Sequence, residues 1–211
     1  MAHIPINHDE EPIRLFNSDF LEFFSHISPI TVLIIWSPVI FFFIVRAFLI
    51  RPPDGLLWHI PAGFLIGLFL WTLAEYTLHR FVFHYPARTP LGQRITYLFH
   101  GIHHAQPQCK TRLLMPPAVS IPLAALFYEL FYLVSVLLLK TPYWINPLFS
   151  ALLIGYLIYD LTHYAQHHFA MRSGYPRFIK RYHMQHHYKT PNQRYGVSSP
   201  VWDYVFGTQP D

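Results

Sequence analysis

Four apolar runs, each long enough to cross a bilayer as a helix, limit this chain more than any other feature. They cover about residues 30–50, 56–78, 119–139 and 144–162. Backbone groups inside a bilayer must find their partners within the spanning structure. The runs therefore predict an all-α polytopic membrane protein. Composition agrees: 53% of the residues are hydrophobic and 12% charged, about half the charged share of a soluble domain. Arg51-Pro52-Pro53-Asp54-Gly55 and Lys140-Thr141-Pro142 separate the runs into two hairpins. Trp58 and Trp71 are expected at interfacial depth. Of the 15 Lys and Arg residues, twelve fall on the side shared by residues 1–29, 79–118 and 163–211, and Arg46, Arg51 and Lys140 fall on the other. This asymmetry predicts that the larger set faces the cytosol.

The two-domain reading is a segment 1–29 ahead of a spanning domain 30–211. In the first, Asp19 and Glu22 have capping-box spacing before Phe20, Leu21, Phe23 and Phe24. An amphipathic helix on the membrane surface and an ordinary first turn are both open readings. The N-terminus has no basic n-region, so a cleaved signal peptide is not expected. A net charge of +4 with scattered basic residues gives no reason to expect nucleic acid. Cys109 is the only cysteine. One thiol excludes an internal disulfide or a Cys-rich metal site, so any metal must be held by nitrogen or oxygen.

Histidine then supplies the nitrogen. The second and fourth runs lead straight into His79 with His84, and into His163, His167 and His168. Each is followed by an H-x2-H-H set: His100, His103 and His104, then His183, His186 and His187. Eleven of the 15 histidines fall in these four clusters, leaving His3, His8, His26 and His59 as ordinary solvated or packed residues. On a regular helix the members of an H-x2-H-H set span about 100° of arc, so all three are expected to converge. His79 and His84 lie about 140° apart and can share an ion only if the helix ends or bulges between them. His163 and His167 face the same way, whereas His168 points about 140° aside. Ten nitrogens are too many for one ion and suit two, with four to six each.

Acidic residues are few near these clusters. Glu75 and Asp160 lie within a turn of His79 and His163 and could accept hydrogen bonds from the far ring nitrogens. They could equally be ordinary polar residues near an interface. Glu129 sits near the middle of the third run, where an ionised carboxylate is costly. The favoured reading is a hydrogen-bonded Glu within the bundle.

The residues now carry a resemblance. E-Y-T-L-H-R-F-V-F-H (75–84), F-H-G-I-H-H (99–104), R-L-L-M-P-P (112–117), Y-D-L-T-H-Y-A-Q-H-H (159–168), Y-H-M-Q-H-H-Y-K (182–189) and G-V-S-S-P-V-W-D-Y-V-F-G-T (196–208) resemble the membrane fatty acid hydroxylase superfamily. They agree in order and spacing over roughly the last two-thirds of the chain. R-L-L-M-P-P and the C-terminal W-D stretch resemble the fatty acid 2-hydroxylase branch.

The resemblance implies four transmembrane helices in two hairpins with a cytosolic, histidine-rich dimetal cap. It implies O2-dependent hydroxylation at carbon 2 of a long-chain fatty acid or a sphingolipid N-acyl chain. It assigns metal ligation to His79, His84, His100, His103, His104, His163, His167, His183, His186 and His187. Beyond these ligands no catalytic group is assigned, and the resemblance leaves out His168, which by its place on the helix joins Glu75 and Asp160 as a candidate for a supporting role. Iron is expected for function, and zinc would satisfy the same nitrogens without redox chemistry. Relatives often carry an N-terminal haem domain, and about 29 residues before the first run are too few for one. A separate electron donor is therefore expected, a b-type cytochrome or a ferredoxin with its reductase. The membrane would be the endoplasmic reticulum in a eukaryote and the cytoplasmic membrane in a bacterium. Two other readings stand beside this one: a lipid desaturase or sterol oxidase of the same superfamily, and a metal- or haem-binding membrane protein.

Overall fold

The computed structural model describes residues 6–210, so His3 lies outside the described residues. The described residues are helical, with turns and loops between the helices. In chain order the helices are α1 (Asp19–Phe23), α2 (Pro29–Leu49), α3 (His59–Thr77), α4 (Pro90–Thr96), α5 (Ile102–Ala105), α6 (Pro117–Tyr132), α7 (Ile145–His168), α8 (Gly174–Tyr188) and α9 (Val201–Val205). Wider π-turns extend three of them: Leu78–Phe83 after α3, Tyr97–Gly101 between α4 and α5, and Leu133–Leu138 after α6. Four continuous helical stretches have the length and hydropathy of membrane spans: Pro29–Leu49, His59–Phe83, Pro117–Leu138 and Pro142–His168. The chain is a multi-pass membrane protein.

Two compact units divide it. One comprises Pro29–Thr72 and Pro117–Ile158. Here α3 and α7 approach closely at two glycines. A Cβ at Gly67 would stand 2.3 Å from the Leu148 carbonyl oxygen, and one at Gly155 would stand 2.5 Å from Trp71. Small residues at such crossings let backbones meet where lipid gives helices no hydrophobic reason to associate. Trp71 is thereby buried, with its ring 5.6 Å from that of Tyr156. Trp36 packs on the same tyrosine, and Phe43 packs on Phe149.

Glu129 also departs from expectation. It is exposed, and no hydrogen bond or ion pair joins it to another described residue. The reason is helical phase. Helix α6 buries Ser120, Ala124 and Phe131, and Glu129 lies about 140° around the helix from Ala124.

The other unit comprises the chain up to Ser28, Leu73–Pro116 and Tyr159–Asp211. The N-terminal segment straps the loop that follows α5. Asn7 N donates to the Ala105 carbonyl at 2.7 Å, Gln106 bonds both Ile13 N and the Glu11 carbonyl, and Ile27 N donates to the Thr111 carbonyl at 2.8 Å. The cap of α1 is Ser18, not Asp19. Glu22 does not close a capping box, because its carboxylate accepts from Leu15 N and Phe16 N and pairs with the buried Arg112 guanidinium. With Ser18 as the N-cap, the N3 position falls on Leu21, so Glu22 is out of register for the box.

Candidate metal centre

Ten histidines bring their ring nitrogens together in two buried groups. His79, His84, His100, His104 and His186 form the first; His103, His163, His167, His183 and His187 form the second. Within each group one nitrogen per residue lies within 4.8 Å of all the others.

Local backbone explains how each pair and triplet arrives. His84 N donates to the His79 carbonyl at 3.0 Å, five residues back. That π-turn widens the helix just where a regular one would have set the two rings about 140° apart. His163 and His167, one turn apart on α7, need no such device.

The H-x2-H-H sets behave differently from expectation. Their three members do not converge on one point. His100 and His104 enter the first group while His103 enters the second; His183 and His187 enter the second while His186 enters the first. Residues i and i+4 lie about 40° apart, whereas i+3 lies about 100° from i+4. The wide arc that seemed to gather three rings instead lets each set serve both groups. Each group thus takes one pair, the i and i+4 members of one set, and the i+3 member of the other. The His104 and His187 rings stack at 4.2 Å where the groups adjoin.

The arrangement fits cations. In the first group His100 Nε2 lies 3.0 Å from His79 Nε2 and 3.1 Å from His104 Nε2, and His84 and His186 meet at 3.1 Å. In the second, His103 Nε2 lies 3.0 Å from His163 Nε2 and 2.9 Å from His187 Nε2, and His183 lies 3.0 Å from both His167 and His187. Nitrogens at right angles around an ion at about 2.1 Å stand about 3.0 Å apart. Hydrogen bonding alone cannot satisfy this packing. A ring nitrogen carries either a proton or a lone pair, so His100, His103, His183 and His187 cannot each serve two neighbours.

Electrostatics points the same way. Burial, reinforced by neighbouring imidazoles, holds His84, His100, His103, His183, His186 and His187 far below the usual histidine range, and brings His104 down to about 3. At neutral pH these rings are uncharged and present lone pairs, the form a metal requires. His79 Nδ1 donates to the Tyr195 carbonyl at 2.5 Å and His186 Nδ1 to the Gln193 carbonyl at 2.6 Å. Each bond places the proton outward and the lone pair inward.

The supporting residues are arranged otherwise than the sequence suggested. Glu75 Oε1 accepts from Val197 N at 2.7 Å and Ser198 N at 2.8 Å, and its other oxygen accepts from the Ser198 hydroxyl. Asp160 accepts from Met115 N at 3.3 Å. The outer nitrogen of His79 is taken by Tyr195, and that of His163 has no partner among the described residues. The two carboxylates therefore anchor loops instead of orienting those rings. His168 belongs to neither group; it is half-buried with its ring 4.5 Å from Tyr164. Sequence reasoning passed over Asp203, which is fully buried and accepts from Tyr195 N, Gly196 N and the Thr208 hydroxyl. Its signal was a lone acid inside the aromatic run V-W-D-Y-V-F.

An all-helical, multi-pass membrane protein with two buried five-histidine groups falls in a class, the membrane proteins that carry a nitrogen-only dimetal site. Comparison with known proteins narrows it. Residues 64–208 match the model of the fatty acid hydroxylase family, and the chain belongs to that family. It is 36% identical over 209 residues to the dihydroceramide fatty acyl 2-hydroxylase FAH1 of Arabidopsis thaliana, covering 99% of this chain and 84% of that one. It is 33% identical over 228 residues to the fatty acid 2-hydroxylase of Homo sapiens, covering 98% of this chain and 58% of that one. A solved structure of full-length scs7p, in which only the hydroxylase domain is visible, superposes with a TM-score of 0.82 at 36% identity, covering 93% of this chain and 72% of that one.

Proposed function

We propose that the chain is a fatty acyl 2-hydroxylase, an oxidoreductase that places a hydroxyl on carbon 2 of a long acyl chain in fatty acid or sphingolipid metabolism. The observation that carries this is the pair of interlocked five-histidine groups in a chain of the fatty acid hydroxylase family. All ten histidines are read as ligands, divided as the groups divide them. The bound pair, read as iron for function, supplies redox chemistry toward O2 that no side chain here provides. Zinc would occupy the same nitrogens without turning over.

The chain's own residues have definable tasks. The neutral imidazoles donate lone pairs, and the carbonyls of Tyr195 and Gln193 fix two of their tautomers. Burial excludes bulk water from the ligands. Apolar helices ending in histidines suit an acyl tail held in a greasy environment with its carbonyl end near the metals. The substrate is a fatty acid or the N-acyl group of a sphingolipid; relatives named for dihydroceramide acyl groups support the second.

Segment 1–29 is read as an interfacial segment, with Phe20 and Phe23 exposed, and 30–211 as the hydroxylase domain. The positive-inside bias supports cytosolic termini and histidine loops. Electrons then come from a separate cytosol-facing donor, a b-type cytochrome or a ferredoxin with its reductase. The membrane is that of the endoplasmic reticulum in a eukaryote and the cytoplasmic membrane in a bacterium.

Expression in a host free of 2-hydroxy lipids, followed by lipid mass spectrometry, tests the proposal. Membranes should gain 2-hydroxy acyl chains, and a His104→Ala, His187→Ala double variant should make none. Desaturated or sterol products in their place would reassign the chain within its superfamily.

A further inference from the structure

The two groups differ in what holds their outer nitrogens. In the first, His79 and His186 donate Nδ1–H to the carbonyls of Tyr195 and Gln193, while Nδ1 of His84 has no partner among the described residues. In the second, Nδ1 of His103, His163, His183 and His187 has no partner among the described residues, and that of His167 is directed at the Pro107 carbonyl without completing a hydrogen bond. A carbonyl on Nδ1 fixes the ring's rotation and tautomer and makes the opposite nitrogen a stronger donor.

Those carbonyls belong to a loop that one carboxylate clamps. Asp203 Oδ1 accepts from Tyr195 N at 2.8 Å and from Thr208 Oγ1 at 2.7 Å, and Oδ2 accepts from Gly196 N at 2.7 Å. Arg194 N closes the same loop on the Thr208 carbonyl at 3.0 Å, and Tyr76 ties Thr208 to α3. The backbone can pass this close only because residue 196 is glycine: a Cβ there would stand 2.0 Å from the Ser199 carbonyl oxygen. Removing the clamp frees the Tyr195 carbonyl, and through it His79, while nothing in the second group contacts the loop through Nδ1.

We propose that Asp203 is a positioning residue for one ion of the pair, and that the first histidine group binds metal more tightly than the second. The inference rests on reading both groups as metal sites. Second-sphere partners of ligand histidines are worth about 10–100-fold in metal affinity, which sets the expected gap.

The test uses the full chain in detergent, loaded with zinc and titrated with a chelator while zinc per chain is counted by elemental mass spectrometry. Wild-type protein should release its zinc in two steps of one ion each, at least tenfold apart. His104→Ala should delete the tighter step. Asp203→Asn leaves one acceptor oxygen where three donors need acceptors, and sets an amide N–H₂ against a backbone N–H. It should weaken the tighter step by about 10–100-fold and leave the weaker one in place. Thr208→Val, which removes a single bond from Asp203, should move the same step less, and it decides the matter if Asp203→Asn does not fold. Release of both ions in one step from wild type, or an equal shift or no shift of both steps in a folded variant, overturns the inference. A wild-type chain that takes up no zinc would overturn the metal-site reading instead.

Discussion

Replacing Glu75 tests whether the carboxylate one turn before His79 serves the loop or the ring. The side chain is buried and accepts the amides of Val197 and Ser198, of which Val197 is fully buried. Glu75→Ala strands both donors, and an unsatisfied buried donor costs about 1–3 kcal/mol, so the variant should lose about 2–6 kcal/mol. Glu75→Gln keeps an oxygen facing both amides, loses their charge assistance, roughly 1 kcal/mol per bond, and turns an amide N–H₂ toward the Ser198 hydroxyl, which can rotate to accept it. At about 2–4 °C per kcal/mol for a chain of this size, tryptophan-monitored melting in detergent should fall by roughly 10 °C for Ala and roughly 5 °C for Gln. Metal content separates the roles. Glu75→Gln should keep its full complement, because the loop stays in place. A Gln variant that melts like wild type but has lost metal would refute the anchoring role and return Glu75 to a histidine.

Three further outcomes follow from the geometry. His167→Gln should abolish activity and lower bound metal, whereas His168→Gln should keep most of its metal; equal metal loss in elemental analysis would mean His168 reaches an ion. Metal-stripped protein should lose stability on acidification. His104 sits near 3 when folded against 6.5 unfolded, so the unfolded chain alone takes up its proton as pH falls from 6.5 toward 3, and about 2 kcal/mol from this group is gone by pH 5. Chemical denaturation giving equal stability at pH 7.5 and pH 5 would contradict this. Arg112→Ala removes a buried cation from Glu22 and should cost about 3–5 kcal/mol, seen as faster hydrogen exchange at Leu15, Phe16 and Ile27; unchanged exchange would show that the strap holds without it.

Much of this molecule was legible because hydropathy and histidine spacing are local signals. Apolar runs of spanning length can be read without knowing what they pack against. The separation of His79 from His84 required the helix to end or bulge between them, since five residues on a regular helix cannot face one ion. What was not legible depends on partners distant in sequence. The i+3 member of each H-x2-H-H set can turn to either of two centres, and only the meeting of α5 with α8 decides which. Glu75 and Asp160 lie beside histidines in sequence but turn to amides at 197–198 and 115. Glu129 was read by its depth alone, although phase on α6 decides whether it faces neighbours or the outside. Asp203 went unnoticed because its three donors come from non-helical segments on either side of α9, residues 195–196 and 208, that no periodicity marks.

The central claim is that the histidine groups support O2-dependent hydroxylation at carbon 2, and isotope tracing tests it most directly. Membranes carrying the chain, supplied with a reductant and an acyl substrate under ¹⁸O₂, should give a 2-hydroxy product whose new hydroxyl carries ¹⁸O. In H₂¹⁸O under ordinary O2 the same hydroxyl should stay unlabelled. A hydroxyl labelled from water alone would contradict the account.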